Sequence, residues 1–313
     1  METGNLAAID LGTNSCRIRI ADANGNLLYR DSEAVRLGEG MYARQCFTQE
    51  SMERTLNYLS QCAEQMKNYR VAHYRAITTA SCRMASNGEK FVQMAAELCG
   101  IKFDIISAEE EAMLNLRGAR LNAAPSSPYV LVYDLGGGST EITLATNENK
   151  PKILYTISIP WGARNASEAF DLLEYNQENA DKLRSEIRKY ALGFLHDSEF
   201  LMYIGQCDCI ATSSTALRLM SMVWNTDGYE RDRVDGMSAE TARIDEAIDY
   251  LQHQTLEQLA QNKYIGKNRA PVMVAATVIF KEIYDTLQIK VLTSSLKGAQ
   301  DAIIEDLRQK WQS

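Results

Sequence analysis

The 313-residue chain lacks the features that direct a protein into a membrane or out of the cell. No apolar run reaches the roughly 18 residues that a membrane-spanning helix needs. The N-terminal residues run directly into an apolar strand pattern, which leaves no room for a signal peptide. These absences predict a cytoplasmic protein with no membrane partner.

Metal-binding and redox motifs are equally scarce. The chain has only three histidines, His73, His196 and His253, and none has a partner at metal-ligand spacing. The seven cysteines are scattered, and the close pair Cys207 and Cys209 forms neither a CxxC redox motif nor a zinc knuckle. Structural thiols in a reducing compartment are the simplest interpretation.

The chain has fewer basic than acidic side chains, 33 against 41, and its net charge is −8. A basic surface for nucleic acid is therefore excluded, and we expect no nucleic-acid partner. An acidic protein can still bind phosphate where positive groups and backbone dipoles gather at one place. Hydrophobic residues make up 45% of the chain, which is enough for a sizeable core in one large or two medium domains.

The most informative stretch is residues 129–145, which predicts a strand, a tight turn and a second strand. The first strand ends at Asp134, and the turn carries Gly136, Gly137, Gly138 and Ser139. Glycines let backbone N–H groups approach an anion with no side chain between them. Asp134 and Glu141 add two carboxylates, which suit a hard cation such as Mg²⁺ that bridges protein and phosphate oxygens. A glycine-rich hairpin without a ligand is the alternative that this stretch alone leaves open.

A second copy of this pattern lies at residues 5–21. Here an apolar strand again delivers Asp-Leu-Gly, and Asp10-Leu-Gly12-Thr13-Asn14-Ser15 matches Asp134-Leu-Gly136-Gly137-Gly138-Ser139 position by position. An element repeated half a chain apart predicts two domains that are built alike. Two such phosphate-binding hairpins resemble the layout of the actin, Hsp70 and sugar kinase superfamily.

Strand and helix patterns alternate along the chain, which indicates an α/β class. Residues 123–128, which contain proline and serine, have the composition most typical of a linker between two domains. We therefore expect a first domain over residues 1–124 and a second over 125–296, with a final helix at about 297–313 packing back on the first. Ser238 is predicted to cap a helix.

Glu111 lies in an acidic run at a predicted helix start, residues 106–114. Ser107 and Glu110 fit a capping box, and acidic residues in a first turn favour the helix dipole. Stabilisation of the helix start accounts for the presence of Glu109 and Glu110. A catalytic role for Glu111 is the competing interpretation, which the run alone does not decide.

Six segments together resemble the exopolyphosphatase and guanosine pentaphosphate phosphohydrolase family in its short two-domain form. They include the two Asp-Leu-Gly hairpins, Leu37-Gly38-Glu39-Gly40-Met41 and Thr78-Thr-Ala-Ser-Cys-Arg83. The other two are Ile106-Ser-Ala-Glu-Glu-Glu111-Ala and Val234-Asp-Gly-Met. All six come in the family's order and span about residues 5–300.

The resemblance implies two RNase H-like, actin-like domains of the ASKHA superfamily facing across a cleft. It implies hydrolysis of the terminal phosphoanhydride of polyphosphate, or of the 5′ γ-phosphate of guanosine pentaphosphate, with Mg²⁺ or another divalent cation. The resemblance also implies a role in the stringent response. By resemblance, Glu111 is the catalytic glutamate and Arg83 the catalytic arginine, whereas Asp134 and Glu141 are catalytic and hold the metal. The two hairpins then bind substrate phosphates through Gly12, Thr13, Asn14 and Ser15 and through Gly136, Gly137, Gly138 and Ser139.

The chain departs from the family pattern mainly in its second half. Ala211 and Ser214 stand where Gly-x-x-Gly-Thr is usual, and Lys297 stands where an arginine is usual. In the first half, Ala108 replaces a common glycine. We expect modest activity, weak affinity for bulky nucleotide ends and a preference for plain phosphate chains.

Two other functions remain open at this stage. The first alternative is a regulatory protein on the same scaffold that binds polyphosphate or guanosine pentaphosphate with little turnover. The altered loops of the second half of the chain favour this alternative. A small-molecule kinase is the second alternative, although the glycines missing at 211–215 argue against space for adenosine there. The oligomeric state is undetermined, with a homodimer as one option.

Overall fold

The computed structural model describes residues 4–13, 15–39, 41–148 and 150–312. Its packing divides the chain into two compact units. Unit 1 comprises Met1–Gly118 and Gly298–Ser313, and unit 2 comprises Ala119–Lys297.

The elements follow one another in the alternating order that the sequence predicts. The first part of the chain contains β1 (Asn5–Leu11), β2 (Cys16–Ala21), β3 (Leu27–Glu33), α1 (Met41–Arg44), α2 (Gln49–Asn68), β4 (Val71–Thr78), α3 (Ala80–Met84), α4 (Gly88–Cys99), β5 (Phe103–Ile105) and α5 (Ala108–Ala119). The remainder contains β6 (Tyr129–Leu135), β7 (Thr140–Thr146), β8 (Ile153–Ile159), α6 (Ala163–Ala169), α7 (Gln177–Asp197), β9 (Cys207–Ala211), α8 (Ser214–Val223), β10 (Ser238–Glu240), α9 (Thr241–Gln252), α10 (Leu256–Gln261), α11 (Ala270–Thr286), β11 (Val291–Ser294) and α12 (Ala299–Gln312). Short 3-10 turns occur at Arg120–Asn122, Phe200–Met202 and Ile204–Gln206.

The sheet of unit 1 has the strand order β3-β2-β1-β4-β5. The β1–β2 and β2–β3 pairs are antiparallel, whereas β1, β4 and β5 run parallel. Because side chains alternate along a strand, β1 is buried on both faces. Ala7, Ile9 and Leu11 pack in the core that contains α2 and α4, and Leu6 and Ala8 pack with α5 and α12.

The sheet of unit 2 repeats this topology. Its order is β10-β11-β9-β6-β7-β8, and read from β8 it matches β3-β2-β1-β4-β5 with β10 added at one edge. The β6–β7 and β7–β8 pairs are antiparallel, and β6, β9 and β11 run parallel. The predicted α/β class and the prediction of two similarly built domains are confirmed.

The predicted helix cap at Ser238 is wrong. Ser238 begins β10, where its side chain shares a hydrogen bond of 2.8 Å with Thr293, and α9 begins at Thr241. Ala239 pairs with Leu292 of β11. The secondary structure of this segment is determined by pairing with a strand more than fifty residues away. A local capping pattern contains no information about that strand.

Unit 2 begins earlier than the linker at 123–128 suggests. Asn122 donates to Asp235 at 2.6 Å and to Ser295 at 3.0 Å, and the backbone N–H of Ala124 donates to Asp208 at 2.6 Å. Residues 119–124 are therefore bound into unit 2 by side chains that are distant in sequence.

Helix α12 closes the other face of the unit 1 sheet. Asp306 accepts two hydrogen bonds from Arg117 on α5, at 2.5 and 2.9 Å. Gln300 donates to the carbonyl of Ala8 at 3.0 Å. Within the described ranges, no helix combines the length and apolar character needed to cross a membrane. All seven cysteines are free.

Candidate active site

The topology of unit 1 gathers its predicted site residues at one edge of the sheet. The turn at residues 12–15 follows β1, α3 follows β4, and α5 follows β5. Because β1, β4 and β5 are parallel, their carboxyl ends meet at the same edge, which is the usual place for ligands in such sheets. The Thr78 hydroxyl donates to the carbonyl of Leu11 at 3.0 Å, and the N–H of Ile106 donates to the carbonyl of Thr78 at 3.0 Å. These bonds tie the three strand ends together.

Hairpin 1, residues 10–17, is a tight turn closed by a 2.9 Å hydrogen bond from the N–H of Gly12 to the carbonyl of Ser15. Asp10 lies opposite Arg17, with 3.8 Å between a carboxylate oxygen and a guanidinium nitrogen. Burial raises the pKa of Asp10, and the charge of Arg17 opposes that rise. Asn14, predicted to bind phosphate, lies outside the described residues.

Arg83 and Glu111 meet at this edge. Both terminal nitrogens of the guanidinium lie 3.4 Å from Oε2 of Glu111, and one of them also donates to the carbonyl of Ile106 at 2.5 Å. The side chains are 27% and 33% exposed, so each retains a surface that a ligand can reach. The hydrogen bond to Ile106 anchors the Arg83 guanidinium. The longer contact between Arg83 and Glu111 leaves both side chains accessible to a ligand.

The three neighbouring glutamates have different surroundings. Glu110 forms an ion pair of 2.6 Å with Arg75, and its N–H donates to the Ser107 hydroxyl at 3.1 Å. Backbone and Ser107 hydrogen bonds at the helix start lower the pKa of Glu109, and the charge of Arg83 lowers it further. The structural interpretation thus accounts for Glu109 and Glu110, and only Glu111 of the three forms an ion pair with Arg83.

Hairpin 2, residues 134–141, has the same backbone closure as hairpin 1. The N–H of Gly136 donates to the carbonyl of Ser139 at 3.0 Å. Asp134 and Glu141 are direct cross-strand partners, so their side chains leave the same face of the sheet. Glu141 accepts a hydrogen bond from Ser158 at 3.0 Å. All predicted residues of unit 2 therefore share one hairpin.

The first turn of α6 holds the glycines of hairpin 2 in place. The N–H groups of Ala163 and Arg164 donate to the carbonyls of Gly136 and Gly137, at 2.9 and 2.8 Å. The Asn165 amide donates to the carbonyl of Gly138 at 2.9 Å. These three hydrogen bonds fix the glycine backbone of hairpin 2 against the start of α6.

Gly162 is required for this contact. A Cβ atom there would lie 2.6 Å from backbone atoms of Gly137, Gly138 and Ser139. The sequence patterns gave no indication of the roles of Gly162 and Asn165. A glycine followed three residues later by a capping asparagine was the available signal.

The two carboxylates of hairpin 2 fit a divalent cation that is completed by substrate. No cluster of three or more potential metal ligands occurs in the part of the chain that the structure describes. Mg²⁺ in phosphoryl-transfer sites is usually held by one or two carboxylates, with phosphate oxygens and water filling the remaining positions. Asp134 and Glu141 are such a pair.

Unit 2 also contains two half-buried arginines that the sequence patterns did not indicate. Arg269 donates to the hydroxyl of Ser214, at the start of α8. Arg218 lies 3.8 Å from the centre of the Tyr229 ring and donates to the carbonyl of Ile265 at 2.8 Å. Burial lowers the pKa of both arginines, and their mutual repulsion lowers that of Arg218 further. A cationic cluster thus lies beside the carboxyl end of β9.

Ala211, which stands where the family pattern has a glycine, belongs to a strand and not to the turn that follows it. It is the last residue of β9, is 1% exposed, and accepts a backbone hydrogen bond of 2.9 Å from Ser295. Its methyl group therefore fills core space. Of the two lost glycines, only the one at Ser214 changes the surface of the turn.

The model of the Ppx/GppA phosphatase family matches residues 18–310, which is most of the chain. The chain belongs to the Ppx/GppA phosphatase family. This confirms the resemblance that the six sequence segments indicated.

Among curated proteins, the bifunctional 3-dehydroquinate synthase/phosphatase of Fusobacterium nucleatum is 27% identical over 97% of this chain and 47% of its own length. Exopolyphosphatase 2 of Mycobacterium tuberculosis is 37% identical over 47% of this chain and 50% of its own length. The matched regions thus span about half the length of these curated relatives.

Solved structures show the same fold. The Aquifex aeolicus Ppx/GppA family member matches with a TM-score of 0.83 at 20% identity, over 98% of both chains. An exopolyphosphatase from Cytophaga hutchinsonii matches with a TM-score of 0.79 at 20% identity, also over 98% of both chains. At these identities, the likeness shows the fold alone.

Proposed function

We propose that this Ppx/GppA family member is a phosphoanhydride hydrolase that releases the terminal phosphate of inorganic polyphosphate. The observation that carries the proposal is the Arg83–Glu111 pair at 3.4 Å, at the strand edge that also bears hairpin 1. Phosphoryl transfer needs charge neutralisation and positioning more than it needs a strong nucleophile. A guanidinium beside a carboxylate supplies both, with water as the nucleophile.

In the proposed reaction, Glu111 orients a water molecule and accepts its proton as the water oxygen attacks the terminal phosphorus. The bond from that phosphorus to the bridging oxygen breaks, and the shortened chain leaves with the negative charge on that oxygen. Arg83 neutralises charge on the transferred phosphoryl group. Its bond to the carbonyl of Ile106 keeps the guanidinium in place.

The hairpins supply the phosphate-binding groups of the proposal. Gly12, Thr13 and Ser15 serve in unit 1, and Gly136 to Ser139 serve in unit 2, where α6 hydrogen-bonds to the carbonyls of Gly136 and Gly137. Asp134 and Glu141 would hold a divalent cation such as Mg²⁺, which supplies charge neutralisation to phosphate oxygens when bound.

The surroundings of Ser214 bear on the choice of substrate. The cationic pair Arg218 and Arg269 is suited to further phosphates of a long chain. The Ser214 hydroxyl occupies one donor of Arg269 and adds bulk at the turn after β9. We therefore favour polyphosphate over guanosine pentaphosphate, whose base and ribose need more room.

A regulatory protein with little turnover is the second candidate. The favouring observation is again Ser214, because an engaged Arg269 restrains how the distal substrate binds. Such a protein would bind polyphosphate or guanosine pentaphosphate tightly and release phosphate slowly. The intact Arg83–Glu111 pair favours the enzyme.

The test is phosphate release from long-chain polyphosphate and from guanosine pentaphosphate, each with Mg²⁺ and with excess chelator. The hydrolase proposal requires multiple turnovers on polyphosphate that depend on the cation. Binding of either ligand by calorimetry, without release, would support the regulatory alternative. If the chain neither releases phosphate nor binds either ligand, both candidate functions are refuted.

A further inference from the structure

The loop at residues 35–39 rests directly on hairpin 1. The N–H of Gly38 donates to the carbonyl of Thr13 at 2.9 Å. A Cβ atom at position 38 would overlap the Thr13 methyl group, so any larger residue there would displace the Thr13 side chain. The position of this loop therefore determines the position of the phosphate-binding turn.

The loop has an unfavourable backbone conformation at its centre. Arg36 has a φ of 48°, in the left-handed region that residues other than glycine rarely adopt. Such residues persist where their surroundings over-determine the backbone. Val35 and Leu37 on either side are fully buried, which fixes the backbone before and after Arg36.

Arg54 supplies the polar part of that restraint. From α2, its guanidinium donates to the carbonyl of Val35 at 2.6 Å and to that of Arg36 at 3.3 Å. It also donates to the carboxylate of Glu39 at 3.1 Å. One planar group with several donors thus binds the start, the centre and the end of the loop, which the single ammonium of a lysine cannot do.

The contact with Glu39 has an electrostatic consequence. Glu39 is exposed and adjoins Gly38, which contacts hairpin 1. A bare carboxylate there would repel a polyanion approaching the hairpin. Arg54 offsets that charge.

We propose that Arg54 is a positioning residue for the phosphate-binding turn of hairpin 1, acting through the loop at 35–39. The proposal rests on the proposed function for its kinetic consequence but not for its structural one. Arg54 holds the loop, the loop holds Thr13, and the same guanidinium screens Glu39 from the substrate.

The experiment compares Arg54→Ala and Arg54→Lys with the wild-type chain by two readouts. In polyphosphate hydrolysis, we expect KM to rise by about tenfold in Arg54→Ala with kcat nearly unchanged, because the binding turn is loosened while Arg83 and Glu111 are intact. Arg54→Lys should recover only part of the loss. In hydrogen exchange, the amide of Gly38 should exchange faster in both variants.

Two further variants separate the causes. Glu50→Gln removes the 3.7 Å helical contact of Arg54 with Glu50 and leaves the loop contacts intact, so it should match wild type. Arg54→Ala combined with Glu39→Gln should lower KM below that of Arg54→Ala alone, since the exposed charge is gone.

Wild-type Gly38 protection in folded Arg54→Ala would overturn the proposal, and so would an unchanged KM. If Arg54→Ala does not fold, Arg54→Lys decides the matter by the same criteria. Should the wild-type chain release no phosphate, the proposed function fails, whereas the Gly38 exchange rates still decide whether Arg54 holds the loop.

Discussion

Asp134 and Glu141 face each other directly across hairpin 2, whereas the equivalent positions of hairpin 1 pair Asp10 with Arg17. The backbones close identically, through Gly136 to Ser139 and through Gly12 to Ser15. One hairpin thus presents two carboxylates where the other presents an acid and a base. This difference in charge is why we assign the cation to hairpin 2.

Replacement of Asp134 by asparagine should weaken the response to divalent cation. Loss of one of two carboxylates should raise the Mg²⁺ concentration for half-maximal activity on the order of tenfold or more, and lower the maximal rate. The measurement is a Mg²⁺ titration of phosphate release. Asp181→Asn, an exposed acid on α7, should leave the titration unchanged. Full wild-type activity in excess chelator would remove the metal from the reaction.

Replacement of Glu111 by glutamine should abolish hydrolysis while folding and substrate binding persist. The change keeps the size of the side chain and removes the base, which typically costs about 10²- to 10⁴-fold in rate. Glu110→Gln and Glu109→Gln are matched controls on the same helical turn, and both should stay within a few-fold of wild type. Turnover by Glu111→Gln at a comparable rate would reduce Glu111 to a helix-start residue.

Replacement of Ser214 by glycine should improve the handling of nucleotide substrate. The change frees a donor of Arg269 and removes a side chain at the turn. We expect KM for guanosine pentaphosphate to fall by about fivefold, the worth of one hydrogen bond, and KM for polyphosphate to fall less. Ala211→Gly is the control, and it should lower stability without this shift because Ala211 is buried. A wild-type preference for the nucleotide would contradict the prediction.

Replacement of Tyr133 by phenylalanine should stabilise the chain. The buried Tyr133 hydroxyl has no hydrogen-bond partner among the described residues, and an unsatisfied buried polar group costs about 1–3 kcal/mol. Tyr284 packs on the same Phe280 ring, but its hydroxyl donates to Asp245 at 2.5 Å. Tyr284→Phe should therefore destabilise the chain. Chemical denaturation of the two variants measures this opposite sign, and a loss of stability in Tyr133→Phe would show that the hydroxyl is satisfied.

Much of the fold was predictable because its signals are local. Asp-Leu-Gly after an apolar strand specifies a tight hairpin through chain conformation alone, and its recurrence at residues 10 and 134 predicted two similar units. Helix α2 follows from apolar periodicity and the Thr48 cap, which accepts from the N–H of Ser51. The segment at Ser238 shows the limit, since its strand exists only because β11 lies beside it.

The sequence by itself determined the residue types of the candidate site, the two hairpins and the family. Only the tertiary structure decided which of three adjacent glutamates contacts Arg83, because that choice depends on the parallel pairing of β4 with β5. It also decided that Ala211 is a core residue, and that Arg54, Gly162, Arg218 and Arg269 have polar or close-packed partners far away along the chain. The physical reason is the same in each case: hydrogen bonds and ion pairs act over a few ångströms in space, and only the folded backbone sets which distant residues come that near.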